Sequence, residues 1–158
     1  MRRNDRAIPD FAAMLAVVRQ CDCCRLGLVE NGEAYIVPLN FGWEAEGETL
    51  TLYFHGAAEG RKLALLRQNP AVSFEMDTAH RLLPGETGCA YSCAYRSVMG
   101  RGVAELLTDD AEKRHGLQCV LAHCARRRDL PLDARMVRET AVIRLRVTAW
   151  TAKAHEAP

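Results

Sequence analysis

The segment FHGAAEGRK, residues 54–62, gathers one histidine, two glycines and a terminal arginine–lysine pair between two contrasting runs. Before it, TLTLYF alternates apolar and polar residues as a strand does; after it, LALLRQ reads as a short helix. A helix that starts near Gly60 offers unpaired backbone N–H groups, which attract anions. Arg61 could grip a phosphate through two parallel hydrogen bonds, and Lys62 adds a mobile point charge. Gly60, Arg61 and Lys62 therefore suit a phosphate clamp. They equally suit a plain turn followed by two solvated charges, and the segment by itself does not separate the two.

Two further stretches have a comparable double reading. In VPLNFG, residues 37–42, Pro38 removes a ladder donor from an otherwise good strand. That marks either a protected sheet edge or a surface on which something other than a strand packs. Asn40 offers both a donor and an acceptor, which would suit a planar heterocycle with imide groups. In YRSVMGRG, residues 95–102, Ser97 supplies a hydroxyl, while Gly100 and Gly102 permit close approach or simply bend a barrel strand.

His115, Cys119 and His123 recur at i, i+4, i+8, one face of a helix, and Cys21, Cys23 and Cys24 cluster near the start. Zinc or iron–sulfur ligation is conceivable from such residues. Cysteine is also among the most buried residue types and often only fills a core, so no metal is expected. No G-x-S-x-G elbow, Cys-His protease signature or dinucleotide-binding G-x-G-x-x-G is present.

The elements that must position these residues can be read in outline. Asp10 caps a helix whose stripe is Phe11, Met14, Leu15 and Val18. CRLGLVE and EAYIVPLNF flank Asn31-Gly32, a type I′ hairpin signal. TLTLYFH is a third strand, with Leu50, Leu52 and Phe54 on one face and Thr51, Tyr53 and His55 on the other. Asn69-Pro70 stops the short helix. AVSFEM is a fourth strand, residues 77–94 a loop, and RSVMGRGVAELL a glycine-bent fifth strand. Asp109 and Glu112 open a helix with a buried stripe of Leu117, Val120, Leu121 and Cys124, and AVIRLRVTAWTAKA closes the chain as a sixth strand. The first three strands follow one another through short turns, which excludes a parallel doubly wound sheet.

The 158 residues suffice for one domain, expected over 1–158. A net charge of +1 gives no electrostatic reason to expect nucleic acid or an anionic membrane as partner. No apolar run approaches a membrane span, and MRRNDRAIPD has no apolar stretch behind its arginines to form a leader. Seven cysteines, an odd number, fit unpaired thiols in a reducing cytoplasm.

Taken in order, NGEAYIVPLNFG, LYFHGAAEGRKLALLRQNPAVSFE, YRSVMGRGVAEL and DDAEKRHGL resemble the pyridoxamine 5'-phosphate oxidase-like FMN-binding split barrels. Within that family the chain looks most like the 5-nitroimidazole reductase (Nim) branch, over about residues 3–147. The most specific feature is a basic pair that opens a helix, with LALLRQ and then Asn69-Pro70 after Lys62.

The resemblance implies a six-stranded antiparallel split β-barrel with peripheral helices, and FMN as cofactor. Arg61 and Lys62 would hold its phosphate, with Gly60 standing where the family has a serine. Val37, Pro38, Leu39 and Asn40 would lie along the isoalloxazine ring. Ser97 takes the place of a flavin-contacting glutamine, and Val98 would contribute through its backbone. A homodimer is implied, with one flavin at each of two interface clefts. The activity implied is reduction of a small organic acceptor, such as a nitroaromatic, with electrons from NAD(P)H. It is not pyridoxal phosphate synthesis, because the oxidases' C-terminal substrate-binding segment is not found after TAKAHEAP. If the strand face that bears Tyr53 and His55 meets the cofactor, His55 is the proton donor or substrate contact. The alternative is a non-enzymatic flavin or haem carrier or sensor, with His55, His115 or His123 as axial ligand.

Overall fold

The computed structural model describes residues 3–155. Met1, Arg2 and residues 156–158, the two ends of the expected domain, lie outside them. The elements run β1 (Ala7–Ile8), α1 (Phe11–Gln20), β2 (Cys24–Glu30), β3 (Glu33–Leu39), β4 (Phe41–Glu46), β5 (Thr49–Gly56), α2 (Arg61–Gln68), β6 (Ala71–Leu83), β7 (Ser92–Leu106), α3 (Asp110–Cys124), α4 (Ala134–Glu139) and β8 (Ala141–His155). No helix among the described residues is long and apolar enough to cross a membrane.

Local signals account for most boundaries. The Asp10 carboxylate accepts the Ala13 N–H at 2.7 Å and caps α1. Asn31 and Gly32, at φ 53° and 85°, form the tight turn between β2 and β3. Asp109 caps α3 through the N–H groups of Ala111 and Glu112. Glu112 does not close a capping box; it accepts from Arg144 of β8 at 2.8 Å and ties the start of α3 to the sheet.

All pairings are antiparallel, in the order β3-β2-β6-β7-β8-β5-β4, with β1 beside β8. β3 and β4 are the two ends of this order, yet Asn40 alone separates them in the chain. Residues two apart span at most roughly 7 Å. The sheet must therefore curl until its edges meet at Asn40 without pairing, which is a split antiparallel barrel. Phe41, Phe54, Leu26, Leu52, Met76, Val98, Ile143 and Leu145 fill its interior. α1 and α2 pack against the same core through Val17, Val18, Leu63 and Leu66.

Three expectations needed revision. The sheet has eight strands: β4 forms a hairpin with β5, and the short β1 adds to β8. Residues 77–94 are largely strand, since β6 runs on to Leu83 and β7 begins at Ser92. A register shift between Thr78 and Arg81, with Ala79 at φ 58°, carries the polar composition there without ending the ladder. The buried stripe of α3 is Lys113, Gly116, Val120 and His123 rather than Leu117, Val120, Leu121 and Cys124. The helix is turned so that its small and polar positions meet the sheet.

Candidate functional site

The basic pair stands where the sequence suggests, at the start of α2. Gly60 precedes the helix at φ 138°, a conformation L side chains rarely adopt, and no side chain caps the first turn. The two basic side chains then diverge. Lys62 folds back over the end of β5, where a Cβ on Gly56 would stand 2.6 Å from its Nζ. Arg61 turns the other way. It donates to the Glu30 carboxylate at the end of β2 and stacks 4.3 Å from the centre of the Tyr35 ring. The Glu30 hydrogen bond holds the guanidinium above its ordinary value, so Arg61 stays charged.

Tyr35 lies two residues before Val37 on β3, so Arg61 is attached to the strand that carries the other expected contacts. Val37 and Leu39 pack toward the core, while Pro38 and Asn40 are exposed along the sheet edge. Pro38 pairs opposite Arg25 of β2, and among the described residues β3 has no strand on its other side. The Asn40 amide donates to the Asp22 carbonyl at 3.1 Å. Ser97 is half-buried on β7, between Asp77 and Lys153. Val98 points into the barrel core, and its strand is flanked by β6 and β8. Gly100 serves the fold, since a Cβ there would meet the Phe74 ring at 2.5 Å.

The face of β5 that bears Tyr53 and His55 is divided. His55 is exposed and sits next to Gly56, over which Lys62 lies. Tyr53 is 2% exposed and packs with Leu107, Val120 and Val142 under α3. It does not open onto a cleft, because Gly116 lets the helix settle on its ring; a Cβ there would meet Tyr53 Cδ1 at 2.8 Å.

On β4, Gly42 does the same for the helix backbone. A Cβ at Gly42 would stand 2.3 Å from the Cys119 carbonyl carbon. Glu44 is two residues along and shares that strand face, so it reaches α3. Its Oε2 lies 2.7 Å from His115 Nε2, and Cys119 Sγ lies 3.7 Å from the same nitrogen. The Tyr53 hydroxyl donates to Glu44 Oε1. Burial opposes the Glu44 charge, but hydrogen bonds from Tyr53 and His115 outweigh it and hold the carboxyl below the usual range. Burial, reinforced by Glu44, pushes the Cys119 thiol up to about 11. Glu44 was missed from sequence, since its place depends on which strand α3 covers.

His123 belongs to a different arrangement. Trp43 Nε1 donates to His123 Nδ1 at 3.2 Å, so Nε2 carries the ring proton and donates to the Cys21 carbonyl at 2.7 Å. Burial holds the imidazole below its ordinary value. Both ring nitrogens are engaged, which removes His123 from the candidate axial ligands. Cys21 and Cys24 stand at C-x-x-C spacing, yet both are buried and serve as core; burial pushes the Cys21 thiol up to about 12 and that of Cys24 further.

The outer sheet face mixes exposed apolar side chains with polar ones, among them the Arg25–Glu75 ion pair. Ile36, Gly27, Ser73 and Arg101 lie side by side from β3 to β7, and Val29, Ile36, Met99 and Val103 are exposed around them.

Residues 10–154 match the family described as pyridoxamine 5'-phosphate oxidase. No curated protein matches the sequence. Among solved structures, one is of a Bacteroides thetaiotaomicron VPI-5482 protein provisionally described as a 5-nitroimidazole antibiotic resistance protein. It is 31% identical over 95% of this chain and 90% of its own, with a TM-score of 0.80. The flavocytochrome Anf3 from Azotobacter vinelandii is 24% identical over 100% of this chain and 73% of its own, TM-score 0.83. An FAD- and haem-binding protein from Mycobacterium smegmatis is 18% identical over 96% and 74%, also at 0.83. These last two bear on the fold alone. With the family matched over residues 10–154 and a 31% identical structure sharing its fold, this chain belongs to the pyridoxamine 5'-phosphate oxidase family.

Proposed function

We propose that the chain is an FMN-dependent reductase of a small organic acceptor, nitroaromatics among them, with NAD(P)H as electron source. The observation that carries this reading is the uncapped start of α2, where Gly60 precedes Arg61 and Lys62 and Lys62 arches over Gly56 at the end of β5. Free backbone N–H groups, with the Lys62 ammonium on one side of them and the Arg61 guanidinium on the other, suit a terminal phosphate. FMN, once bound, supplies the hydride and electron transfer.

The chain's own residues would do the rest. Lys62 and the spare N–H groups of Arg61 hold the phosphate, while Glu30 and Tyr35 keep the guanidinium aligned. Val37, Pro38, Leu39 and Asn40, with Ser97, border the ring, and His55 gives a proton to the acceptor. Tyr53 supports this group from beneath α3 rather than touching the ligand. The exposed apolar side chains of Ile36, Met99 and Val103 on the outer face support a homodimer that buries them. Seven unpaired cysteines are in keeping with a cytoplasmic setting.

The deciding experiment is an absorbance scan of the purified protein, with the released chromophore identified by chromatography, followed by addition of NADH or NADPH. A flavin spectrum with FMN released and bleaching by the nicotinamide supports the proposal. No flavin band and no FMN uptake by the apo protein would sink it. A Soret band, or flavin that neither nicotinamide reduces, would favour the carrier or sensor alternative.

A further inference from the structure

The seam between β4 and α3 gathers three metal-ligand types that the flavin site does not use. Glu44 Oε2, His115 Nε2 and Cys119 Sγ all lie within 4.8 Å of one another. Two come from one helix face at i, i+4; the third comes from the strand on which that helix rests because Gly42 has no side chain. We propose that Glu44, His115 and Cys119 bind one divalent zinc-class cation, with a fourth position open to solvent.

The donor set selects the metal class. One imidazole, one thiolate and one carboxylate suit zinc, whereas calcium and magnesium take oxygen ligands throughout. Ligand atoms at zinc bond lengths of about 2.0–2.3 Å sit roughly 3.3–3.8 Å apart in a tetrahedron. The His115–Cys119 separation of 3.7 Å already falls in that range. The Glu44–His115 separation of 2.7 Å is a hydrogen bond that widens slightly when a cation replaces the shared proton. His115 and Glu44 are about half exposed, so their side chains can make that shift.

Support around the ligands fits the same purpose. The Tyr53 hydroxyl engages Glu44 Oε1, which leaves Oε2 directed to the cluster. His123 is excluded as a fourth ligand by Trp43 and Cys21. All three ligands line a cavity of about 470 Å³, so the fourth position faces open space. The Glu44 carboxylate and the Cys119 sulfur, whose thiol proton is released to solvent as the metal binds, neutralise the dication. Arg19, Arg126 and Arg128 on the cavity wall then favour water or a small anion as the fourth ligand.

The test uses the full chain, stripped with a chelator and titrated with Co²⁺, then with Zn²⁺ in competition. The expected result is one metal per chain, with a thiolate-to-cobalt charge-transfer band and the intense visible bands of four-coordinate cobalt. Cys119→Ser should abolish the charge-transfer band, and His115→Ala should weaken binding at least about tenfold. Glu44→Gln, at a half-exposed strand position, should weaken it likewise and serves as the second variant if Cys119→Ser folds poorly. Cys124→Ser, five residues further along α3, should leave the spectrum unchanged. Failure to take up one equivalent, or a thiolate band that survives in Cys119→Ser, overturns the assignment. None of these readouts depends on flavin.

Discussion

The Lys62 ammonium lies over Gly56, so close that a Cβ there would come within 2.6 Å of Nζ and 3.3 Å of Cε. The two residues stand at opposite ends of one loop, and their contact folds the loop so that the positive charge lies over the end of β5, on the strand face opposite the His55 side chain. Gly56→Ala would displace the end of a flexible side chain, not backbone, so the fold should survive. Lys62→Ala should lower FMN affinity by about 1.5–3 kcal/mol, the loss of a charge-assisted hydrogen bond. Gly56→Ala should lower it less, through misplacement alone. Flavin titration of both variants checks the order; affinity unchanged by Lys62→Ala would remove the phosphate clamp.

A methyl group at Gly42 has no such easy escape, because it would meet the Cys119–Val120 backbone at 2.3 Å. Gly42→Ala should lift α3 from β4 and cost about 2–3 kcal/mol or more. Gly27→Ala is the control, since its Cβ would meet only the Ser73 carbonyl at an ordinary 3.5 Å. Chemical denaturation of the two should differ widely; equal midpoints would mean that α3 does not rest on Gly42.

His123 gives a pH dependence with a definite sign. Burial, aided by the nearby Arg126 and opposed by the Cys21 carbonyl bond and Asp22, holds its folded-state value below 6.5. Below that pH the unfolded chain takes up a proton that the folded one still refuses. Its contribution is therefore complete above 6.5 and is lost as the pH falls. Denaturation midpoints measured from about pH 8 to about pH 5 should drop more steeply for the native chain than for His123→Gln. Parallel curves would place the imidazole in a more solvated setting.

The exposed apolar face yields a test of assembly. Ile36→Glu and Met99→Glu each put a charge where two sheets would meet, and burying it unpaired would cost several kcal/mol. Light scattering should give a dimer mass for the native chain and a monomer mass for the double variant, with circular dichroism unchanged. A native monomer, or a double variant that stays dimeric, would locate assembly elsewhere or exclude it.

Much of the fold was legible because it rests on local chemistry. Asn31-Gly32 demands its turn, Asp10 and Asp109 cap their helices, and Asn69-Pro70 ends α2, each within a few residues. Residues 77–94 misled because proline, glycine and polar side chains mark a loop locally, yet a bulged hairpin tolerates them. The stripe of α3 misled for a related reason: apolar periodicity assumes that large side chains seek the sheet. Here Gly116 admits Tyr53, and His123 is buried because Trp43 and Cys21 satisfy both its nitrogens.

By itself the sequence determined most of the elements, the tight hairpin of β2 and β3 and the basic start of α2, since turns, caps and alternation act between neighbours in the chain. Tertiary structure alone decided that Arg61 leans on Glu30 and Tyr35 while Lys62 returns to Gly56, and that Tyr53 is covered while His55 is not. It also brought Glu44 to His115 and Cys119, residues 71 and 75 positions further along the chain. The physical reason is closure: when the sheet curls so that β3 and β4 meet at Asn40, it chooses which strand lies beneath each helix. Side chains remote in sequence become neighbours by that choice, and no local pattern encodes it.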